Sequence, residues 1–169
     1  SRQNVLVSLS GSRNPATESP LKITLVQAIT GAERMDYTMQ KAAELGVYKI
    51  QPVFSARVEV KLDDKRQAER MARWRGVVIS ACEQSGRAVI PQILEPLTLD
   101  DWLTHNADGQ RLVLDSDARV KLSESELDSN VVSVIIGPEG GFASVELEQL
   151  IAKGVNPVSL GPRVLRTES

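Results

Sequence analysis

One cysteine, Cys82, excludes an internal disulfide and any Cys-rich metal cluster from this 169-residue chain. One histidine, His105, excludes a two-histidine metal site, and its polar neighbours Asn106 and Asp108 give no Ser-His-Asp arrangement, so we read it as a loop residue. Aromatic residues make up only 4% of the chain while 41% is hydrophobic, so the core must be aliphatic. No apolar run reaches the roughly 18 residues that a membrane span needs. The start, Ser1-Arg2-Gln3-Asn4, lacks the charged-then-apolar pattern of a secretory signal. These absences describe a reduced cytoplasmic protein with no membrane segment, no metal centre and a buried thiol.

The net charge of −2 hides a gradient. Residues 57–87 hold eight basic residues (Arg57, Lys61, Lys65, Arg66, Arg70, Arg73, Arg75, Arg87) against five acids, whereas residues 95–150 hold three basic residues against twelve acids. Such asymmetry permits a polyanion on one side of the molecule, although from charge alone a solvated helix face explains it better.

The hydrophobic pattern alternates strands with helices. Strands are predicted over 5–9, 23–28, 48–54, 111–115, 131–136 and 158–160, with an irregular edge strand over 89–94 around Pro91. Helical spacing covers 33–45, 64–85, 100–104 and 146–153. In the second of these Ala68, Met71, Ala72, Val78, Ala81 and Cys82 are expected to face inward. Gly46, Gly86 and Gly154 follow three of the helices at the usual place of a left-handed cap. Asp63-Asp64 and Asp100-Asp101 sit where carboxylates stabilise helix N-termini, and Ser144 is a candidate cap for the last helix. Ser10 to Pro20 reads as a linker. The expected fold is α/β, a mainly parallel sheet with helices on both faces.

Two loops carry the chemical signal. Ile136-Gly137-Pro138-Glu139-Gly140-Gly141-Phe142 and Leu160-Gly161-Pro162-Arg163-Val164-Leu165-Arg166-Thr167-Glu168 each follow a β-branched apolar run. Loops at the carboxyl ends of parallel strands form small-molecule sites. The first is not a phosphate loop, because the Lys-Ser/Thr pair is missing, and no Gly-x-Gly-x-x-Gly occurs. Glu83-Gln84-Ser85-Gly86-Arg87 gathers polar groups at a helix end; a capping turn explains Ser85 and Gly86 but does not need the other three.

These blocks, with Met35-Asp36-Tyr37-Thr38-Met39-Gln40-Lys41-Ala42-Ala43-Glu44-Leu45-Gly46-Val47, occur in the same order in the RsmE family, which residues 20–169 resemble. That family comprises SPOUT-class methyltransferases acting on uridine N3 in 16S ribosomal RNA. The resemblance implies S-adenosylmethionine as cofactor, a homodimer, the small ribosomal subunit as partner, and a C-terminal trefoil knot. It implies that residues 1–19 are the remnant of an N-terminal PUA-type barrel plus linker, and that residues 20–169 lack the family's last helix, leaving the knot incomplete. Carried over, Leu114, Ile136, Gly137, Gly140, Gly141, Leu160, Gly161, Val164 and Leu165 would hold the cofactor. Arg166 would stabilise charge developing on the uracil, with Glu139 or Glu168 accepting the proton. Arg66, Arg70, Arg73, Glu83, Gln84 and Arg87 are assigned to RNA. The rival readings are another SPOUT enzyme, acting on ribose 2′-O or guanine, and a non-catalytic RNA-binding module. Ribose enzymes carry an early Asn-x-Gly signature, and residues 21–60 contain no asparagine.

Overall fold

The computed structural model describes residues 8, 10–11, 17–56, 64–105 and 108–169. The strand expected over 5–9, apart from Ser8, and the basic residues Arg57 and Lys61 lie outside that set. The elements are β1 (Lys22–Ala28), α1 (Ala32–Glu44), β2 (Lys49–Phe54), α2 (Asp64–Ser85), β3 (Gln92–Ile93), β4 (Leu97–Thr98), α3 (Leu99–His105), β5 (Gln110–Leu114), β6 (Val131–Ile136), α4 (Ser144–Ala152) and β7 (Asn156–Val158). The strands form one parallel sheet in the order β3-β2-β1-β6-β5-β7, with the short β4 pairing beyond β3 on β2.

Alternation within the central strands divides the core. Leu25 and Ile50 point to the face covered by α1 and α2, where Met35, Met39, Met71, Trp74 and Val78 pack. Val26, Val53, Val113 and Ile135 point to the other face, against Trp102 and Leu103 of α3 and Leu150 of α4. β6 lies between β1 and β5, both parallel to it, as its near-continuous apolar sequence requires. Cys82 is a core residue at 2% exposure, and burial pushes its thiol pKa up.

Several local expectations are corrected. On α2 the buried stripe is Met71, Trp74, Val78, Ala81 and Cys82, while Ala68 and Ala72 are exposed. Twenty-two residues make a helix about 33 Å long, and six-residue strands span only about 20 Å. α2 is therefore longer than the strands it covers, and Ala68 and Ala72 lie off its buried stripe. His105 ends α3 instead of sitting in a loop, its Nδ1 2.8 Å from the Asp101 carbonyl. The cap of α3 is Thr98, whose Oγ1 accepts the Asp101 amide at 3.1 Å, with Asp100 and Asp101 in the first turn. On α4 Ala143 holds the N-cap position, and Ser144 is already helical. The carboxylate of Glu146 reaches back to accept the Ala143 amide (2.8 Å), the half of a capping box that needs no hydroxyl at the N-cap. Gly46, Gly86 and Gly154 all take positive φ, as their positions after the helices demand.

Candidate functional site

The sheet order places the site. From β1 the chain winds outward through β2 to β3, then returns to build β6, β5 and β7 on the other side. The reversal falls between β1 and β6, which pair along their whole length from Lys22↔Val131 to Gln27↔Ile136. In open parallel sheets the crevice beyond the carboxyl ends at such a switch point is where ligands bind.

The loop leaving β6 is held tight. The Gly141 amide donates to the Pro138 carbonyl at 2.8 Å, and Gly141 adopts φ +67°, a conformation that side chains resist. A Cβ on Gly137 would lie 3.2 Å from the Phe142 ring, so a side chain there would have to push the ring back by a few tenths of an ångström. Glu146, 8% exposed, ties the following helix to the end of β2 by accepting the Ala56 amide at 2.6 Å.

The segment after β7 comes back onto this loop. Ser159 donates its amide to Val120 (2.9 Å) and accepts the Leu122 amide (2.8 Å), both from the β5–β6 connection. Beyond Gly161, at φ +116°, the Thr167 hydroxyl donates to the Gly137 carbonyl at 2.5 Å. The fully buried Gln27 side chain donates in turn to Thr167 Oγ1 at 3.1 Å. Arg34, in the first turn of α1, pairs with Glu139 and reaches Glu168 at 3.9 Å. One guanidinium thus links α1 to both loops. Burial pushes the Glu139 carboxyl pKa up, but its own amide, Arg34 and the Gly31 amide outweigh this and hold it below the ordinary value.

The arrangement suits a ligand that is partly flat and apolar. Leu160, Val164 and Leu165 are 51%, 84% and 47% exposed beside the two loops, an uncommon display for side chains a core would welcome. Beneath them Gln27 Oε1 is buried and without a hydrogen bond among the described residues. Leu114 and Ile136 close the strands on either side. The structure therefore gathers Leu114, Ile136, Gly137, Glu139, Gly140, Gly141, Thr167 and Glu168 at one sheet edge. Arg166 is exposed on the same segment. Gln27, Arg34, Glu146 and Thr167 are site-building residues that sequence reasoning missed. Each is one polar residue beside an apolar run, and nothing in the linear pattern says which polar residues turn inward.

The arginines expected to hold RNA separate into two groups. Arg66, Arg70 and Arg73 line a cleft of about 310 Å³ together with Thr30, Asp36 and Trp74. This cleft opens beside the N-terminus of α1, next to the loop pair but not within it. Arg87 lies at the far end of α2, about 31 Å from Arg66 by helical rise. Its side chain is 5% exposed and donates to the carbonyls of Ala43 (2.8 Å) and Val47 (3.2 Å) and to Glu18 (2.5 Å). It caps the C-terminus of α1, with four of its five N–H groups bonded within the fold. Glu83 and Gln84 are exposed on the last turn of α2, at this same opposite edge.

Comparison with known proteins gives the class first. Residues 17–169 match the model of the RNA methyltransferase domain, and the chain belongs to that family. Its named relatives narrow this further. The chain is 37% identical over 153 residues to ribosomal RNA small subunit methyltransferase E of Buchnera aphidicola subsp. Schizaphis graminum, covering 90% of this chain and 62% of the relative. It is 30% identical to the protein of the same name from Mesomycoplasma hyopneumoniae, with 99% and 72% covered. Among solved structures, ribosomal RNA small subunit methyltransferase E from Neisseria gonorrhoeae, bound to S-adenosyl methionine, superposes with a TM-score of 0.87 at 43% identity, with 92% of this chain and 65% of that one covered. A methyltransferase from Legionella pneumophila in complex with the same cofactor gives 0.85 at 44% identity, with 90% and 63% covered. The expected SPOUT-type α/β fold and the family resemblance are both supported by these matches. The chain spans about three fifths of the length of the first relatives it matches.

Proposed function

We propose that this chain is the catalytic domain of an S-adenosylmethionine-dependent methyltransferase that modifies N3 of a uridine in 16S ribosomal RNA. The observation that carries the reading is the pair of latched loops at the β1/β6 switch point, in a chain whose neighbours of near-identical fold are bound to that cofactor. Backbone of the loops at Leu114, Gly137–Gly141 and Leu160–Leu165 would hold the cofactor's adenine and ribose, with Leu160, Val164 and Leu165 along the apolar faces. Bound there, S-adenosylmethionine supplies an electrophilic methyl group.

The remaining task falls to protein side chains. Uracil N3 carries a proton and lies on the pairing edge, so the base must be unpaired to reach the site. Arg166, exposed at the rim, stabilises the negative charge that develops on O2 and O4. Of the two acids, Glu139 is held ionised by Arg34 and its lowered pKa makes it the weaker base. Glu168, at the end of Arg34's reach, is the better acceptor of the N3 proton. Arg66 and Arg70 take backbone phosphates of the RNA, with Arg73 beside them held by Asp36.

The wider architecture is part of the proposal. The contacts of Ser159 with Val120 and Leu122, followed by those of Thr167 with Gly137, support threading of the segment after β7 through the β5–β6 connection in a trefoil knot. A homodimer, a cytoplasmic location and an N-terminal RNA-binding barrel preceding residue 20 complete it. Among the described residues no helix is long and apolar enough to cross a membrane.

The test is mass analysis of ribosomal RNA nucleosides after small subunits are incubated with the full-length protein and labelled S-adenosylmethionine. Methyl label on a uridine base is expected, and label on ribose or guanine would replace the proposal with a rival. In the same assay Arg166→Ala should abolish most turnover; near-normal turnover would remove Arg166 from its role.

A further inference from the structure

The arginine cleft contains two buried oxygens that the fold leaves without partners. Thr30 follows β1 with its side chain 8% exposed, and its Oγ1 makes no hydrogen bond among the described residues. Asp36 lies on the first turns of α1. Its Oδ2 accepts both Nε (2.7 Å) and Nη2 of Arg73, while its Oδ1 is buried and unpartnered. Both residues line the same 310 Å³ cleft as Arg66, Arg70 and Trp74.

The chemistry of these groups restricts the ligand. A phosphodiester offers only acceptors, so it satisfies arginine but repels a carboxylate oxygen. Asp36 Oδ1 needs a donor, and Thr30 Oγ1 can use either. A ligand that completes the cleft must therefore carry an anion and a hydroxyl or amine close together. Buried polar groups left unpaired destabilise the domain, so the empty valences favour a ligand that fills them. The volume is at the small end of ligand pockets, which run from about 300 Å³, and so suits one nucleotide unit.

Resting on the RNA reading above, we propose that this cleft is a ribonucleotide subsite in which Asp36 and Thr30 take a ribose 2′-hydroxyl while Arg66 and Arg70 hold the adjoining phosphate. The 2′-hydroxyl is the group that separates RNA from DNA at a given site. Arg73 occupies Oδ2 and leaves Oδ1 to accept from the sugar once the ligand displaces what covers it, and the cleft selects RNA independently of base sequence.

The experiment compares binding of the full-length protein to a short single-stranded RNA and to the 2′-deoxy strand of the same base sequence. Wild type should favour the RNA by about tenfold, the worth of one or two charge-assisted hydrogen bonds. Thr30→Val, which keeps the side chain's shape, and Asp36→Ala should each bring that ratio close to unity. DNA binding by the same variants reports that they are folded. Arg70→Gln should weaken RNA and DNA equally and leave the ratio intact. A wild-type ratio near one, or a ratio preserved in both Thr30→Val and Asp36→Ala, overturns the subsite while leaving the methyltransferase reading untouched. Binding to neither strand overturns the RNA reading and the subsite with it.

Discussion

At the N-terminal end of α2, Arg66, Arg70 and Arg73 face an open cleft beyond the sheet; at its C-terminal end, Arg87 is sealed between α1 and Glu18. One helix thus presents the same side chain in two environments. The difference lies in what each end of the helix meets. At the carboxyl edge the side chains of α2 line the cleft, with Arg73 paired to Asp36. Where the helix meets the amino edge, the last carbonyls of α1 need donors, and Arg87 supplies them. The carboxyl edge also keeps buried oxygens on Gln27, Thr30, Asp36 and Ser55 without hydrogen bonds. Among the described residues four of the five unmet buried oxygens lie at the edge that holds the ligand sites, the fifth being Thr38 Oγ1 within α1.

The sharpest way to break this comparison is Arg87→Ala. Removing the guanidinium takes the donor from the Val47 carbonyl, leaves Ala43 only its bond from the Gly46 amide and frees Glu18, for an expected loss of about 1–2 kcal/mol in denaturant unfolding. Cofactor binding by the surviving folded fraction should be unchanged. The Glu18 pKa is lowered chiefly by its hydrogen bond from Arg87. A carboxyl depressed in the folded state stabilises above its unfolded pKa and loses that contribution as pH falls through the folded value. Stability of the wild type should therefore drop below about pH 4.3, the ordinary carboxylate range. In Arg87→Ala that part of the acid dependence should disappear. A cost below 0.5 kcal/mol, on the order of a surface pair, would make Arg87 no different from the cleft arginines.

At the other edge the largest effect is expected on binding. Gly161 sits at φ +116° with nothing within 4 Å of a built Cβ, so the obstacle to a side chain is backbone strain alone. Gly161→Val should force the segment after β7 off the first loop and weaken S-adenosylmethionine at least about tenfold, roughly 1–2 kcal/mol of strain. Calorimetry measures this, and an unchanged Kd would remove Gly161 from the cradle.

The cleft arginines give a smaller and more graded response. Arg66→Gln and Arg70→Gln should each reduce the steepness of the RNA salt dependence by about 0.7, the value for one phosphate on a single strand. Arg87→Lys, which keeps the charge at the sealed end, should leave the slope alone. Equal loss from both ends would erase the distinction between them.

How far this difference was legible in the sequence depends on the kind of residue. The strands and helices follow from apolar period and glycine punctuation, because burial acts on every residue of a face and the signal adds up. α2 matched from Asp64 to Ser85 for that reason. The loops were legible through Gly137, Gly141 and Gly161, whose backbone needs are local. The bonds of Arg87 to Ala43, Val47 and Glu18 are not legible locally, because those partners are brought to it only by the fold. Thr30 and Asp36 carry no local mark of burial, and Ala68 and Ala72, apolar as they are, lie about 90–130° round the helix from the Met71–Cys82 stripe. β4 is only two residues long and borrows its order from β2.

The mildest prediction bears on the link between the two site loops. Arg34 is half exposed, so its pairs with Glu139 and Glu168 are screened, and Arg34→Ala should cost under about 0.5 kcal/mol in stability. The loops, however, are joined to α1 through that one guanidinium, while Thr167 joins them to the sheet through Gln27. Losing one of two anchors should loosen the cradle and weaken S-adenosylmethionine a few-fold, with Thr167→Val adding to it. Arg34→Lys should recover part of the affinity, since an ammonium keeps the charge but not the fork that spans two carboxylates. The Glu139 pKa is depressed against burial partly by Arg34, so in Arg34→Ala its carboxyl should titrate higher, which NMR of the side chain would record. If affinity fell without that rise, Arg34 would act by contact with the ligand and not by holding the two loops together.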